Sequence, residues 1–496
     1  VGSVAGGLLV SVCTVFVTAP GGAQDRPSIV RLEDIAGAWV GAATHAEDSA
    51  LIAIEIERLD GARALLRLTI PAIHWHLLQI GPVPFRADRD TVTLGPFDFV
   101  YDRSAEALRG ILPSALVPIY EIPVTLYRAY QRDRPARGEP ATAGRTPAWT
   151  YDVGAAVWAG ATHADGVVYA GDDAGFLHAV DARTGAPRWV FRVDAAIRSR
   201  PVVDGAAVYF QADDGRLYAV AAETGTERWR ATLSDTAVVR LPLDDPSSRY
   251  DPVSAAVAVA GERLFVGTHE GRLSAFDRTS GASLWSFEAG DAIVAAPAVA
   301  AGTVYTGSFD HHVYALDADH GTVLWRHDTG APVVSTPAVA DGLVIVGSRS
   351  YDLLGIEAES GAVVWRRYLW FSWIESSVTV RDGIGYVGSS DAQAVLAFAP
   401  RTGALKWRAD VFGWNWGRPA VSDAHVFVAT AGLAGYTTEH RAAVLALDRS
   451  TGRPIWAFEP ERPPHGGAFG FPGPVALSDD FVFAADLDGR LYAVRR

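Results

Sequence analysis

One short sequence, ending in tryptophan, is written over and over along this chain. GRLYAVAAETGTERWR, Gly215 to Arg230, returns as GFLHAVDARTGAPRW, GRLSAFDRTSGASLW, HHVYALDADHGTVLW, LLGIEAESGAVVW, VLAFAPRTGALKW and VLALDRSTGRPIW. The tryptophans fall at Trp149, Trp189, Trp229, Trp285, Trp325, Trp365, Trp407 and Trp456, in steps of 40, 40, 56, 40, 40, 42 and 49 residues. About forty residues is room for four short strands, so the period predicts a series of like β units. Within a unit, a segment such as VVSTPAVADG precedes LVIVGS; a strand like LYAV or VYAL follows, then the turn Asp-x-x-Thr-Gly and the strand with tryptophan. The acidic side chain bonds turn amides, and the glycine supplies the positive φ that closes a tight hairpin.

A lone four-stranded sheet has two apolar faces that it cannot cover. Copies arranged around an axis cover both without leaving long open edges. The tryptophan then lies on the outermost strand, where neighbouring blades splay apart and a large flat side chain fills the wedge. The ends of the series complete each other: GRLYAVRR stops after the third strand of a unit, and PAWTYD offers a tryptophan strand without the preceding three. Seven complete units and this divided one predict an eight-bladed β-propeller over residues 148–496, its last blade closed by the Trp149 strand.

The pattern Gly-x-Leu-x-Ala-x-Asp-x-x-Thr-Gly-x-x-x-Trp resembles the PQQ-like propeller repeats of quinoprotein alcohol dehydrogenases and of the outer-membrane assembly lipoprotein BamB. The resemblance implies the fold and leaves the function open, because such propellers include both enzymes and binding scaffolds.

Ahead of the repeat the chain reads differently. Residues 1–23, VGSVAGGLLVSVCTVFVTAPGGA, form a short apolar run ending in small residues, the pattern of a cleaved signal peptide. Export to the periplasm or beyond is therefore expected, with no membrane span in the mature chain and with Cys13, the one cysteine, removed. A net charge of −14 argues against a nucleic-acid partner. Alternation in LIAIEIERL, ARALLRLTI, TVTLGPFDFVYD and YEIPVTLYRAY predicts a small antiparallel β-barrel-like domain over residues 29–129. Its first strand holds Gly37-Ala38-Trp39 and its last holds Arg128, an arrangement similar to calycin barrels, where such a tryptophan packs on a late arginine; a closure tryptophan of another small barrel is the alternative. His74 and His76 share one strand face but have no third ligand at fixed spacing, so they are read as structural. Residues 130–147, rich in Pro, Gly and Arg, read as a linker.

In a propeller of this strand order, the loops leading into each innermost strand gather at one mouth of the central channel, together with the turns after the second strands. Most of these loops are bland. AAIRSRP brings Arg198 and Arg200, YLWFSWIESS brings Trp370, Trp373 and Glu375, VFGWNWGRP brings Trp414, Asn415, Trp416 and Arg418, and Trp158 holds the corresponding place in the first blade. Aromatics and arginines converging on one mouth suit a planar, glycan-like or small anionic ligand; the opposing possibility is that they lock against one another as a plug. The long loop ATLSDTAVVRLPLDDPSSRYDPVS places Asp244, Asp245, Arg249, Tyr250 and Asp251 at the rim, as a lid or a solvated loop. Acidic turns containing Asp173, Asp214, Asp310, His311 and His312 recur from blade to blade and are read as turn-forming.

The sequence thus points to an exported, all-β, non-catalytic binding or scaffold module without a cofactor, engaging a protein, an envelope polymer or a small anion through its axial mouth or blade edges. The rival is a dehydrogenase oxidising an alcohol or sugar with pyrroloquinoline quinone and calcium. In the quinoprotein family a tryptophan stacks on the quinone and Glu, Asn and Asp hold the ion. That resemblance assigns Glu375 and Asn415 to calcium and Trp416 or Trp158 to the floor, with no further acidic residue in a neighbouring lead-in loop to complete the ion's shell.

Overall fold

The computed structural model describes residues 29–45, 48–70, 75–112, 122–128, 143–241, 253–369, 372–433, 440–461 and 467–496. The expected signal peptide, His74, most of the linker, the rim residues 244–251 and Trp370 lie outside these.

Eight antiparallel strands close into a barrel: β1 (Gly37–His45), β2 (Asp48–Arg58), β3 (Arg63–Ile70), β4 (Trp75–Asp88), β5 (Thr91–Leu94), β6 (Phe97–Asp102), β7 (Ala107–Leu112) and β8 (Ile122–Arg128). Alternate residues turn inward, as Ala64, Leu66 and Leu68 do on β3 and Phe97, Phe99 and Tyr101 do on β6, so side chains fill the interior. Closure comes where β1 meets β8, with Trp39 opposite Arg128 and Ala43 opposite Val124. Gly41 permits it, since a Cβ there would come 1.8 Å from the Thr125 carbonyl oxygen. A short helix, α1 (Leu32–Ile35), buries Leu32 and Ile35 against the barrel. Trp39, fully buried, donates its indole N–H to the Ile35 carbonyl at 2.8 Å. The Arg128 guanidinium lies 4.5 Å over the same ring and donates to the carbonyls of Ala36 and Asp34. This is the tryptophan–arginine packing that the calycin resemblance implied.

The repeats form eight blades. Each is an antiparallel sheet of four strands running outward from the axis, such as Ala161–Ala164, Val167–Gly171, Phe176–Asp181 and Pro187–Arg192 in blade 1. Blade 8 joins Ala476–Leu477, Phe481–Ala485 and Arg490–Arg495 to β10 (Pro147–Asp152), with Trp149 opposite Ala493. Blade 7 gains a fifth strand, β9 (Ala143–Gly144), parallel to its outer strand Pro454–Phe458. Part of the expected linker is thus a structural element, held by the open edge it covers.

The tryptophans latch blade to blade. Each of Trp149, Trp189, Trp229, Trp285, Trp325, Trp365 and Trp407 donates its indole N–H to a carbonyl in the outer turn of the next blade, at 2.8–3.2 Å. The turn glycine of that blade, Gly185 for Trp149 and Gly361 for Trp325, lies flat on the ring; a Cβ on either would come within 2.8 Å of it. The side chain does fill the wedge, and it also satisfies a turn.

Candidate functional site at the axial mouth

An anchor fixes the direction of each lead-in loop. Ile197, Ile293, Val333 and Ile374 pack on the glycines that end second strands, Gly171, Gly267, Gly307 and Gly347, where a Cβ would meet them at 2.2–2.3 Å. The amide of each anchor donates to the carbonyl of the residue after that glycine, at 2.8–3.3 Å. The next residue is thereby turned to the mouth: Arg198, Val294, Val334 and Glu375, and by the same backbone bond at Val157, Trp158. A second tier comes from the turns after the second strands, with Asp173, Asp213, Phe309, Arg349 and Ser390.

The two tiers interlock. Arg198, only 2% exposed, makes a two-pronged bond to Asp173, with Nε and Nη2 each 2.7 Å from a carboxylate oxygen, and lies 4.6 Å over the Trp158 ring. Trp158 donates to the same carboxylate at 3.1 Å. Arg240 grips Asp213 in the same way, at 2.7 and 2.8 Å, and reaches Ser254 at 2.9 Å. Arg349 bonds Glu375 through Nε at 2.8 Å and Nη2 at 2.6 Å while stacking 4.2 Å from Trp373. Trp414 and Trp416 stack at 5.0 Å, Trp416 donates to Ser390 at 3.1 Å, and the His440 ring sits 4.4 Å from Trp414. One apolar cluster joins Trp158 and Trp414 with Leu433, Ala468 and Leu487, and Val253 and Trp416 pack against it, so segments of blades 1, 7 and 8 and the segment leading into blade 3 meet at the mouth. A guanidinium held in a bidentate pair and stacked on an aromatic ring is rigid and already neutralised.

Arg200 and Arg418 stand apart from this. Each occupies the same place in its blade, just before Pro201 and Pro419, and donates through Nε to a threonine hydroxyl of the preceding blade's innermost strand: Thr162 and Thr379, both at 3.1 Å. Water reaches both side chains, yet the surrounding protein limits their hydration. Burial, and then the charge of Arg418, pushes Arg200 down to about 10, and burial lowers Arg418 as well.

Of the expected site residues, then, Trp158 and Arg198 meet, as do Trp373 with the Glu375 pair and Trp414 with Trp416. Asn415 faces elsewhere. It takes the anchor position that Ile or Val holds in other blades, is fully buried, and donates through Nδ2 to the Ala429 carbonyl at 2.6 Å. A Cβ on Gly388 would lie 1.8 Å from its Oδ1, so that oxygen is packed on backbone. Calcium therefore does not fit Glu375 and Asn415: the carboxylate is engaged by a guanidinium and the amide oxygen points at a glycine. Among the described residues no group of three or more His, Cys, Asp or Glu side chains is placed to hold a metal. Asp214 and Asp310 do serve their turns, accepting from the amides of Arg216 and His312 and from Tyr218 and Tyr314. Asp173 does not; it is a mouth residue. Asp213, Arg240, Arg349 and His440 are further mouth residues that the motif reading passed over. The signal lay in the second-strand turns, where the residue that varies between blades is the one facing the axis.

A family model described as outer membrane protein assembly factor BamB matches residues 141–245, 242–372 and 356–496. The chain belongs to this family. No curated protein sequence matches it. Among solved structures, BamB from Moraxella catarrhalis aligns with this BamB-like propeller at a TM-score of 0.55 and 19% identity, over 71% of this chain and 100% of that one. The quinohemoprotein alcohol dehydrogenase from Comamonas testosteroni aligns at 0.54 and 15%, over 73% and 78%. The computationally designed protein Ika8 aligns at 0.56 and 16%, over 69% and 97%. At these identities the likeness is one of fold, shared by BamB, an alcohol dehydrogenase and a designed protein.

Proposed function

We propose that this BamB-like propeller is an exported, non-catalytic scaffold that binds a protein partner in the cell envelope, with its outer blade edges as the contact surface. What carries the reading is the interlocked mouth: Arg198, Arg240, Arg349 and Glu375 each hold another side chain of this molecule, where an enzyme of this fold would aim such groups at cofactor and substrate. The family's description as an assembly factor supports a protein partner. So do the outer strands of blades 3 to 5, which leave Leu284, Val323, Leu324, Val363 and Val364 exposed beside a groove lined by Phe287, Tyr314, Trp325 and Arg326. Among the described residues no helix is long and apolar enough to cross a membrane.

The rival reading, a quinone- and calcium-dependent dehydrogenase, is tested by calorimetric titration of the purified protein with pyrroloquinoline quinone and calcium. No binding heat is expected. Tight binding that disappears in Glu375→Ala would overturn the scaffold reading.

A further inference from the structure

We propose that Arg200 and Arg418 form a binding site for a small oxyanion, a phosphate or carboxylate group, inside the axial channel below the interlocked mouth. The site is separate from the blade edges and does not depend on a protein partner.

The contrast with the other axial arginines comes first. Arg198, Arg240 and Arg349 each have a carboxylate. Arg200 and Arg418 have only a threonine hydroxyl each, which leaves the terminal nitrogens of both guanidinium groups without a partner among the described residues. The chain has 57 acidic against 43 basic side chains, so acids to pair with them are not scarce.

The two positions are also built alike. Thr162 and Thr379 stand opposite Tyr169 and Tyr386 in their sheets; at that register the other blades carry Val202, Ala258, Ala298, Ala338, Ala420 and Ala476. Threonine occurs only where the next blade brings an arginine. Each hydroxyl donates to the carbonyl of the proline after that arginine, Pro201 or Pro419, at 2.6 Å, so its oxygen can only accept from the arginine Nε. The Nε of each guanidinium is thereby tied to the channel wall, and its other donors remain available. At the same place the other blades carry Gly160, Ala256, Ala296, Thr336, Ser377 and Pro474, which add no charge and little bulk.

Each guanidinium is in addition disfavoured by incomplete hydration, and Arg200 feels the charge of Arg418. An anion with two or more acceptor oxygens would satisfy donors from both and cancel the repulsion between them.

The test is calorimetric titration of the full chain with inorganic phosphate and, separately, with malonate, at constant ionic strength set with chloride. Saturable binding of one probe is expected, weakened about tenfold or more by Arg200→Gln and by Arg418→Gln; the preferred probe identifies the anion as phosphate or carboxylate. Because a like charge is removed, Arg418→Gln should also raise the unfolding temperature in anion-free buffer while losing the rise that the bound anion gives the unaltered protein. Failure of both probes to bind, or binding unchanged in both variants, would overturn the proposal.

Discussion

Seven of the eight interfaces between blades are closed by the same latch, and the eighth is not. Where Trp365 meets blade 6 and Trp407 meets blade 7, the indole N–H bonds a turn carbonyl of the next blade and the ring lies on that turn's glycine. Trp456 faces blade 8, whose third strand, Arg490–Arg495, is joined to its outer strand by no such turn, because β10 supplies that strand from elsewhere in the chain. Its indole nitrogen is buried and has no hydrogen-bond partner among the described residues. Residues 143–145 cover the place instead: β9 pairs with the strand of Trp456, and the Arg145 guanidinium lies 5.7 Å from its ring. The repeat therefore encodes half of each interface in one unit and half in the next, and a ring closed by divided strands needs a substitute at one seam.

The largest effect should come from removing a regular latch. Trp365→Ala takes away a nearly buried indole and its bond to the next blade, and should destabilise the propeller by about 3–5 kcal/mol in urea unfolding. A loss below about 1 kcal/mol would mean that the strands alone hold the blades in place. Next is blade 8, where Asp486 stands at the position of Ser308, Ser348 and Ser389. Desolvation by burial raises its pKa from 3.8 to about 6, although the amide of Arg490 and the hydroxyl of Tyr492 donate to it. A raised carboxyl favours the protonated fold, so this group's contribution should fall as pH rises from about 4 to 6 and stay low above that. Asp486→Asn should remove that fall and stabilise the protein at pH 7 by on the order of 2 kcal/mol, read from unfolding midpoints across pH. The smallest effect sharpens the comparison most. Trp365→Phe should cost about 1 kcal/mol more than Trp456→Phe, because only the first breaks a hydrogen bond. Equal losses would show that the seam tryptophan has an indole partner after all.

The blades could be read from the sequence because the repeat expresses their packing: alternation for sheet faces, Asp and Gly for the turn, tryptophan for the wedge. Trp39 and Arg128 were found in the same way, each being a large side chain that closure requires. The site was harder, because a residue type does not say which way the backbone turns it. Asn415 has the chemistry of a ligand, yet it precedes Pro419 by four residues, as Ile197 precedes Pro201 and Val333 precedes Pro337, and that register sends it inward. Asp173 reads as a turn residue by its likeness to the neighbouring blade's acidic pair, but it aligns with Asp213 and not Asp214, and that one step of register separates a mouth residue from a turn residue. Arg349 carried no motif, and only the structure brings it to Glu375. Strand β9 has two residues and no pattern of its own; the uncovered edge of blade 7 creates it.

The divided blade also sets an order of events at the ribosome. Strand β10 is made before any of blades 1 to 7, and its partner, Arg490–Arg495, after all of them. Throughout that interval the apolar cluster that Trp149 and Tyr151 share with Val168, Phe483 and Leu491 is only half built, and β10 offers an unpaired edge to any passing strand. A nascent chain of this design carries that open edge until Arg490–Arg495 has been made, so a chaperone that shields β10 for the whole interval would protect it more than one that acts only briefly.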